Sequence, residues 1–488
     1  MTTSDANTAA NTAPSEETGA TPPAPAAIVQ KKQSPWRAPL AFLAMGLLLV
    51  LVGAFQSWSV ALAILNMSLI SALMAMGLNL QWGYAGLFNA GVMAFTALGG
   101  LAAVVVSHPP VWTALAAGGR SMALSGVILI ATIATVAFAG SAFKGALRKF
   151  AIFAVIVVGY VLLRPVFTDA VMSIEAVDPA RTGFIGGLGL PITVAWLAGG
   201  LFAAAVAWLI GKVALGLRSD YLAIATLGIS EIVIAVLKNE DWLARGVKNV
   251  TGLARPLPVP YEIELQQKQW FIDLVSRFHA ATLDAAPDAA AREALLRQML
   301  IEGASAYVKI AYAILFTVVL LIILALCVRA LNSPWGRMMR AIRDNEEAAA
   351  AMGKDIKARH LQVFVLGSAI IGIAGAMMTT LDGQFTPGTY NPLRFTFLIW
   401  VMVIVGGSGN NLGAVLGGFL IWFIWVEAEP VGRWIVEAIS ANMDPETPLY
   451  RHLQDIAAPF RLFMMGLVLL IVMRFSPRGI LPEKVRHS

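Results

Sequence analysis

The sequence predicts an all-α polytopic membrane protein with about 12 transmembrane helices (10–12). Of its 488 residues, 58% are hydrophobic and 13% are charged, whereas about a quarter of the residues in soluble proteins are charged. No Asp, Glu, Lys or Arg occurs between Arg37 and Arg120. Such a segment cannot form a water-exposed surface, so a soluble fold is excluded.

Twelve apolar segments approach the length of about 20 residues that a transmembrane helix needs. Residues 395–426 are the least certain part, because as one helix they would run about 48 Å through a hydrocarbon core of roughly 30 Å. The glycine-rich residues 405–413 interrupt them, so two short crossings and one re-entrant hairpin both remain open. In chain order the segments are 38–56, 58–79, 84–106, 122–140, 149–164, 190–214, 219–238, 308–328, 361–381, 394–407, 412–428 and 460–476.

The placement of basic residues predicts the orientation of these segments. Lys and Arg concentrate in cytoplasmic loops of polytopic proteins, and with 12 crossings they collect on the side of both termini. We therefore expect both termini in the cytoplasm of a bacterial cell, 239–307 as an external loop and 329–360 as a cytoplasmic loop. The net charge of +6 then indicates contact with anionic membrane lipid and not with nucleic acid.

The regions outside the spans have simple predicted roles. Residues 1–35 are rich in Ala, Thr and Pro and predict a disordered cytoplasmic tail. Residues 36–476 form the transmembrane domain, and 477–488 a cytoplasmic C-terminal tail. Within the external loop, residues 290–302 show the apolar spacing of a helix.

Enzymatic chemistry has little support in this sequence. The chain has no G-x-x-x-x-G-K-[ST] phosphate loop, and the glycine cluster at 406–413 lacks the lysine of that motif. Its five histidines are scattered, and no Ser/His/Asp set is recognisable. We predict no catalytic residue, no metal site and no cofactor bound by this chain.

The loop 329–360 carries the most informative local pattern. It predicts an amphipathic helix that starts near Ser333-Pro334 and ends at Gly353, where a positive φ is expected. Its Glu-Ala-Ala-x-x-x-Gly sequence resembles the coupling loop of ABC importer permeases, which docks on an ATPase subunit. The resemblance implies an ATPase-coupling role for Arg337, Arg340, Arg343, Glu347, Ala348, Ala349 and Gly353.

Four further motifs occur in the same order as in the branched-chain amino acid permease family of the LivM type. Residues 76–87 (MGLNLQWGYAGL) are similar to its G-L-N-L-x-x-G-Y-A-G-L signature, and 217–228 (LRSDYLAIATLG) to its L-R-G-D-Y-L-A-I-x-T-L-G. The coupling pattern is followed by 405–409 (VGGSG) and by 475–480 (FSPRGI). Ser219 and residues 88–92 depart from the family pattern, and 122–164 and 239–307 resemble insertions.

The resemblance implies a function and a set of partners. The chain would be the permease subunit of an ATP-driven, binding-protein-dependent importer, forming half of the pathway for branched-chain or related small amino acids. The partners would be a homologous LivH-type permease subunit, two ATP-binding subunits that bind Mg-ATP, and a periplasmic solute-binding protein. Urea, short amides and sugars remain open as substrates.

Polar residues within the predicted spans are the candidates for the pathway, since such residues are costly in a bilayer. The candidates are Asn79, Tyr84, Asn89, Thr226 and Glu231. For Glu231 and for the asparagines, helix packing is the alternative role. An ion-coupled secondary transporter of about 12 spans is the rival function. It needs coupling carboxylates at the midplane, and Glu231 is a lone candidate for one.

The predicted orientation can be tested by labelling single cysteines in a Cys327→Ala background with an impermeant thiol reagent. On intact spheroplasts, a cysteine at position 284 should react and one at position 347 should not. Labelling of position 347 from outside would contradict the orientation.

Overall fold

The structure, a computed structural model, describes residues 35–179, 181–217, 219–441, 443, 447 and 459–483. Within these ranges, nine helices are long and apolar enough to cross a membrane, and Val92–Ser107 and Pro392–Gly406 are shorter apolar helices. The predicted all-α class is confirmed, and the chain is a multi-pass membrane protein. The tail before residue 35 and the residues after 483 lie outside the described residues.

Among the described residues, twelve helices build the bundle, and each predicted span lies mainly on one of them. In chain order they are α1 (Arg37–Phe55), α2 (Trp58–Ala85), α3 (Val92–Ser107), α4 (Trp112–Ala142), α5 (Gly145–Glu175), α6 (Ile192–Ala214), α7 (Ser219–Asn239), α12 (Ala289–Asn332), α15 (Ile356–Asp382), α16 (Pro392–Gly406), α17 (Asn411–Ser440) and α18 (Phe460–Phe475). The remaining elements are α8 (Asp241–Ala244), β1 (Val250–Thr251), α9 (Glu262–Gln266), α10 (Gln269–Phe278), α11 (Ala280–Asp284), α13 (Pro334–Asp344), α14 (Glu346–Ala351) and β2 (Gln384–Phe385).

Several predicted span boundaries differ from the structure, and two of the differences matter most. The span 84–106 is not one helix, because Gly86 adopts φ +72° and ends α2, and α3 begins only at Val92. The span 308–328 is part of the 44-residue helix α12, which starts after the Asp288 cap. Residues 289–307 are therefore helix continuous with the span, and the helix predicted at 290–302 is confirmed.

The predicted single helix in the loop 329–360 is two helices. Asn345 has extended backbone, which ends α13, and its side chain accepts a hydrogen bond from the Ala348 amide, which caps α14. Side-chain competition for backbone groups is typical of Asn and explains the division. The predicted positive φ at Gly353 is confirmed at +75°.

The centre of the bundle is a close meeting of α3, α6 and α15. Gly99 and Gly199 face Gly372, and a Cβ at Gly99 would overlap the Gly372 carbonyl group. Phe95 and Phe364 are buried beside this crossing with ring centroids 5.7 Å apart. Small residues let the helix backbones approach closely, which is a common packing mode in membranes.

Contacts among the connecting segments define two ends of the bundle. At one end, β1 pairs antiparallel with β2 through Val250 and Phe385. At the other end, Arg343 of α13 contacts Gly83 and Glu483. Helix α16 starts beside β2 and ends beside residues 480–481. Helix α17 starts at Asn411, which bonds Asn79 near the end of α2, and its Glu427 accepts from Gln56, just before the start of α2. Both helices therefore traverse the bundle, which favours two short crossings over a re-entrant hairpin.

Helices α4 and α5 form a hairpin that packs mainly on itself. Gly118 lies against Ala170 and Ile174, and Gly159 lies against Thr132. Only 11% and 6% of the residues in their apolar segments are buried. The hairpin therefore presents nearly all of its apolar surface outward.

This difference in packing predicts different tolerance of the two glycines Gly99 and Gly126. Gly99→Leu should destabilise the bundle by about 1–3 kcal/mol, because it inserts methylenes into a filled crossing. Gly126→Leu on α4 should leave stability unchanged, since nothing lies within 4 Å of a Cβ there. Thermal unfolding of the two variants, followed by size-exclusion chromatography in detergent, measures the effect. Equal melting temperatures would contradict the packing at Gly99.

Candidate functional site

A break of six residues, Gly86–Gly91, separates α2 from α3. Its backbone groups bond side chains of other helices: the Ala90 amide donates to the Thr226 hydroxyl (3.0 Å), and Trp400 Nε1 donates to the Asn89 carbonyl (3.0 Å). The Gly91 amide donates to Asn89 Oδ1 (2.8 Å). Irregular backbone within a membrane protein needs such partners, because the hydrocarbon core supplies no water.

The same network continues into α2 and α15. Asn89 Nδ2 donates to Gln81 Oε1 (2.8 Å), and Gln81 Nε2 donates to the Phe364 carbonyl (2.9 Å) and to Ser368 Oγ (3.1 Å). Sequence reasoning missed Gln81, Ser368 and Trp400 as members of this site. The sequence did contain one signal that could have revealed the network, because Gln81 is a side-chain amide within an uncharged stretch.

Asn79 connects α2 to the turn between α16 and α17. Its Nδ2 donates to Asn411 Oδ1 (3.2 Å), and its Oδ1 accepts from the Gly409 amide (2.9 Å). Tyr84, one turn further along α2, is buried at 7% exposure. Asn79, Asn89 and Thr226 thus each form a bond between separate segments inside this chain, and Tyr84 is buried on α2. A role for them in the pathway stays a prediction.

Glu231 lies apart from these four residues. Its side chain is exposed on the outer face of α7, and no described residue forms a hydrogen bond or ion pair with its carboxylate. The buried face of α7 instead carries Thr226 and Ser230. The structure therefore separates the five pathway candidates into an internal group of four and a single outward carboxylate.

Helix α13 is held firmly against the bundle. Met339 and Ile342 are fully buried. Arg340 donates to the Leu331 carbonyl (3.2 Å) and Arg337 to the Asn332 carbonyl (3.5 Å) at the end of α12. Basic side chains commonly bond the last carbonyl groups of a helix in this way.

Arg343 of α13 also points into this chain. Its guanidinium donates to the Gly83 carbonyl group at the end of α2, and it forms ion pairs with Glu483 (3.0 Å) and Asp344 (3.1 Å). Partial burial lowers the pKa of Arg343, but the two carboxylates raise it more, so the net shift is upward. The guanidinium remains charged and joins α13 to α2.

The segment after α18, residues 476–483, is named here the C-terminal strap. Its Ile480 and Leu481 amides donate to the carbonyl groups of Val405 (2.8 Å) and Gly406 (2.9 Å). Asn410 Nδ2 donates to the Leu481 carbonyl (3.1 Å). The strap thus joins the end of α16 to Arg343 through Glu483.

Helix α14 presents the free surface at this end of the bundle. None of its residues is buried, and Glu347 and Ala348 are exposed, with Ala349 half-buried. Met352 after it is 78% exposed. A Cβ at Gly353 would meet nothing within 4 Å. Of the predicted coupling residues, the arginines therefore bond within this chain, while the Glu-Ala-Ala-x-x-x-Gly part is open to a partner.

In the part of the chain that the structure describes, no cluster of three or more His, Cys, Asp or Glu could hold a metal ion. The buried network is made of amides and hydroxyls, which can orient helices or polar ligands.

The sequence of this chain is similar to those of known transport permeases. A family model described as "Branched-chain amino acid transport system / permease component" matches residues 60–473. The high-affinity branched-chain amino acid transport system permease protein LivM of Escherichia coli is 25% identical over 285 residues, which are 58% of this chain and 56% of that protein. The chain spans about half the length of the curated relatives it matches.

Two archaeal relatives extend the comparison. The probable branched-chain amino acid transport permease protein LivM of Methanocaldococcus jannaschii is 30% identical over 156 residues, which are 32% of this chain and 42% of that protein. The probable LivH protein of the same organism is 29% identical over 104 residues, 21% of this chain and 32% of that protein. No solved structure matches significantly. Because the family model covers most of its length, this chain belongs to the family of permease components of branched-chain amino acid transport systems.

Proposed function

We propose that this chain is the permease subunit of an ATP-driven, binding-protein-dependent importer. It forms half of the translocation pathway for branched-chain or related small amino acids. The observation that carries the proposal is the exposed helix α14, held beside α13 at the end of the bundle where Arg343 meets α2. The names of the relatives support the substrate class.

The proposal includes partners. A homologous permease subunit of the LivH type completes the pathway, and the separate similarity to a LivH protein supports such a pair. Two ATP-binding subunits bind and hydrolyse Mg-ATP, and a periplasmic solute-binding protein delivers the substrate. The chain itself lies in a bacterial inner membrane with both termini, α13 and α14 in the cytoplasm.

Coupling follows from the contacts of α13. Closure of the ATPase subunits displaces α14, and α13 passes this displacement to α2 through Arg343 and to α16 through the C-terminal strap. Two arrangements of the bundle then differ in free energy according to the state of the ATPases, which is what alternating access requires. Arg343 is a positioning residue in this scheme, since it acts through α2 and Glu483.

An ion-coupled secondary transporter is less well supported. Such a protein needs carboxylates that bind the coupling ion at a shielded midplane site. Glu231 is exposed on the outer face of α7 and forms no hydrogen bond or ion pair with a described residue. The family assignment and the open surface of α14 both favour the importer.

The coupling surface is tested by the double variant Glu347→Lys, Gly353→Trp. Insertion and permease pairing should be unchanged, because neither side chain contacts the bundle. Loss of a coupling free energy of about 1–3 kcal/mol should lower uptake about 5- to 150-fold. The measurement is amino-acid uptake by proteoliposomes with ATP inside and binding protein outside, alongside the ATPase rate. Unchanged uptake, or uptake without any ATPase subunit, would favour the secondary transporter.

The role of Arg343 is tested by Arg343→Ala, with Arg329→Ala near the end of α12 as the matched control, since Arg329 is exposed and lies outside the predicted coupling residues. Removing Arg343 leaves Glu483 and the Gly83 carbonyl group without their partner, which costs about 1–3 kcal/mol. We expect ATP hydrolysis that no longer responds to loaded binding protein, while Arg329→Ala stays close to wild type. Adding Glu483→Gln should restore part of the response. Identical behaviour of the two arginine variants would refute the positioning role.

A further inference from the structure

One face of α7 is left uncovered along nearly its whole length. Its exposed residues recur every three or four positions and so share one face of the helix. The opposite face is buried against α3 and α16 and carries Thr226, Ser230 and Ile234. The exposed residues are Tyr221, Ile224, Gly228, Glu231, Ile232, Ala235 and Val236.

The position of Glu231 shows that lipid does not cover this face. It lies about 18 Å along a helix of about 31 Å, as the 1.5 Å rise per residue gives, so it is far from both ends. Carboxylates in spans face protein or water because lipid does not solvate them. Arg164 on α5 is exposed as well, but a long arginine side chain reaches the interface, which a glutamate does not.

A second feature next to α7 is equally unsuited to lipid. Phe88, in the non-helical break, is 37% exposed and stacks on Trp400 with ring centroids 4.2 Å apart. Its neighbour Ala90 bonds Thr226 of α7. Non-helical backbone at membrane depth occurs only where protein or a water-filled cavity shields it. The break and the exposed face of α7 therefore each need cover by protein or by a water-filled cavity.

We propose that the face of α7 around Gly228 and Glu231 is the surface by which this chain meets the second permease subunit, with Glu231 in the seam between them. The inference rests on the proposed function, which supplies that subunit. Gly228 and Ala235 are small enough for close approach of a partner helix. A Cβ at Gly228 meets nothing within 4 Å, so the space beside it is open in this chain alone.

The test uses the assembled importer in lipid nanodiscs, with single cysteines at 228 or 235 in a Cys327→Ala background. The matched control is Gly46→Cys on α1, since Gly46 is also exposed with nothing within 4 Å of a Cβ and its neighbours Leu43 and Leu47 are apolar. Spin labels at 228 and 235 should show several-fold lower oxygen accessibility than the label at 46. A photo-activatable cross-linker attached to each cysteine needs no thiol on the partner, and it should join 228 and 235, and not 46, to the second permease subunit.

Each outcome decides the inference. Loss of permease pairing in the 228 and 235 variants, with normal pairing of the 46 variant, also supports it. An importer that assembles and transports, with labels at 228 and 235 as accessible to oxygen as the label at 46 and without cross-links, overturns it and leaves the proposed function intact. Absence of any second permease subunit with the wild-type chain overturns the proposed function itself.

Discussion

The hydrogen bonds around the break between α2 and α3 hold together the helices on which the rest of the structure depends. Six residues leave the helical ladder there, and their backbone groups must find partners without help from water. Thr226 of α7 and Trp400 of α16 bond backbone groups of the break, and the Asn89 side chain links the break through Gln81 to α15. A buried polar network is favourable only when all of its members are satisfied, so these helices keep their relative positions as a unit.

The positions of the helices could be predicted because apolarity is a local property of the chain, and each of the twelve segments lies mainly on one helix. Features that depend on distant partners could not. The break at 86–91 is as apolar as the helices beside it, and what marks it is the left-handed backbone of Gly86. The first part of α12, residues 289–307, is amphipathic, so the strongly apolar sequence begins only near residue 308, while the helix already begins at Ala289. The crossings of α16 and α17 became clear only from their contacts at both ends.

For the candidate site, the sequence indicated which residues to consider better than it indicated what those residues contact. The Glu-Ala-Ala-x-x-x-Gly motif lies on an open surface, and the motif itself was sufficient to find it. The inward direction of Arg343 depends on Glu483, a residue 140 positions later, and no local pattern contains that information. Asn79 and Asn89 stood out as amides in apolar sequence, but which helices they join is decided by packing.

The hairpin of α4 and α5 has a consequence for how this chain changes over evolutionary time. Its two helices contact each other along one seam, at Gly118 and Gly159, and otherwise meet little of the bundle. Natural selection therefore maintains the apolar character that membrane insertion needs and the small residues along that seam. The remaining side chains of the hairpin can vary in shape. Substitutions among Leu, Ile, Val and Phe should accumulate neutrally on the hairpin. The crossing of α3, α6 and α15 should accept none of them.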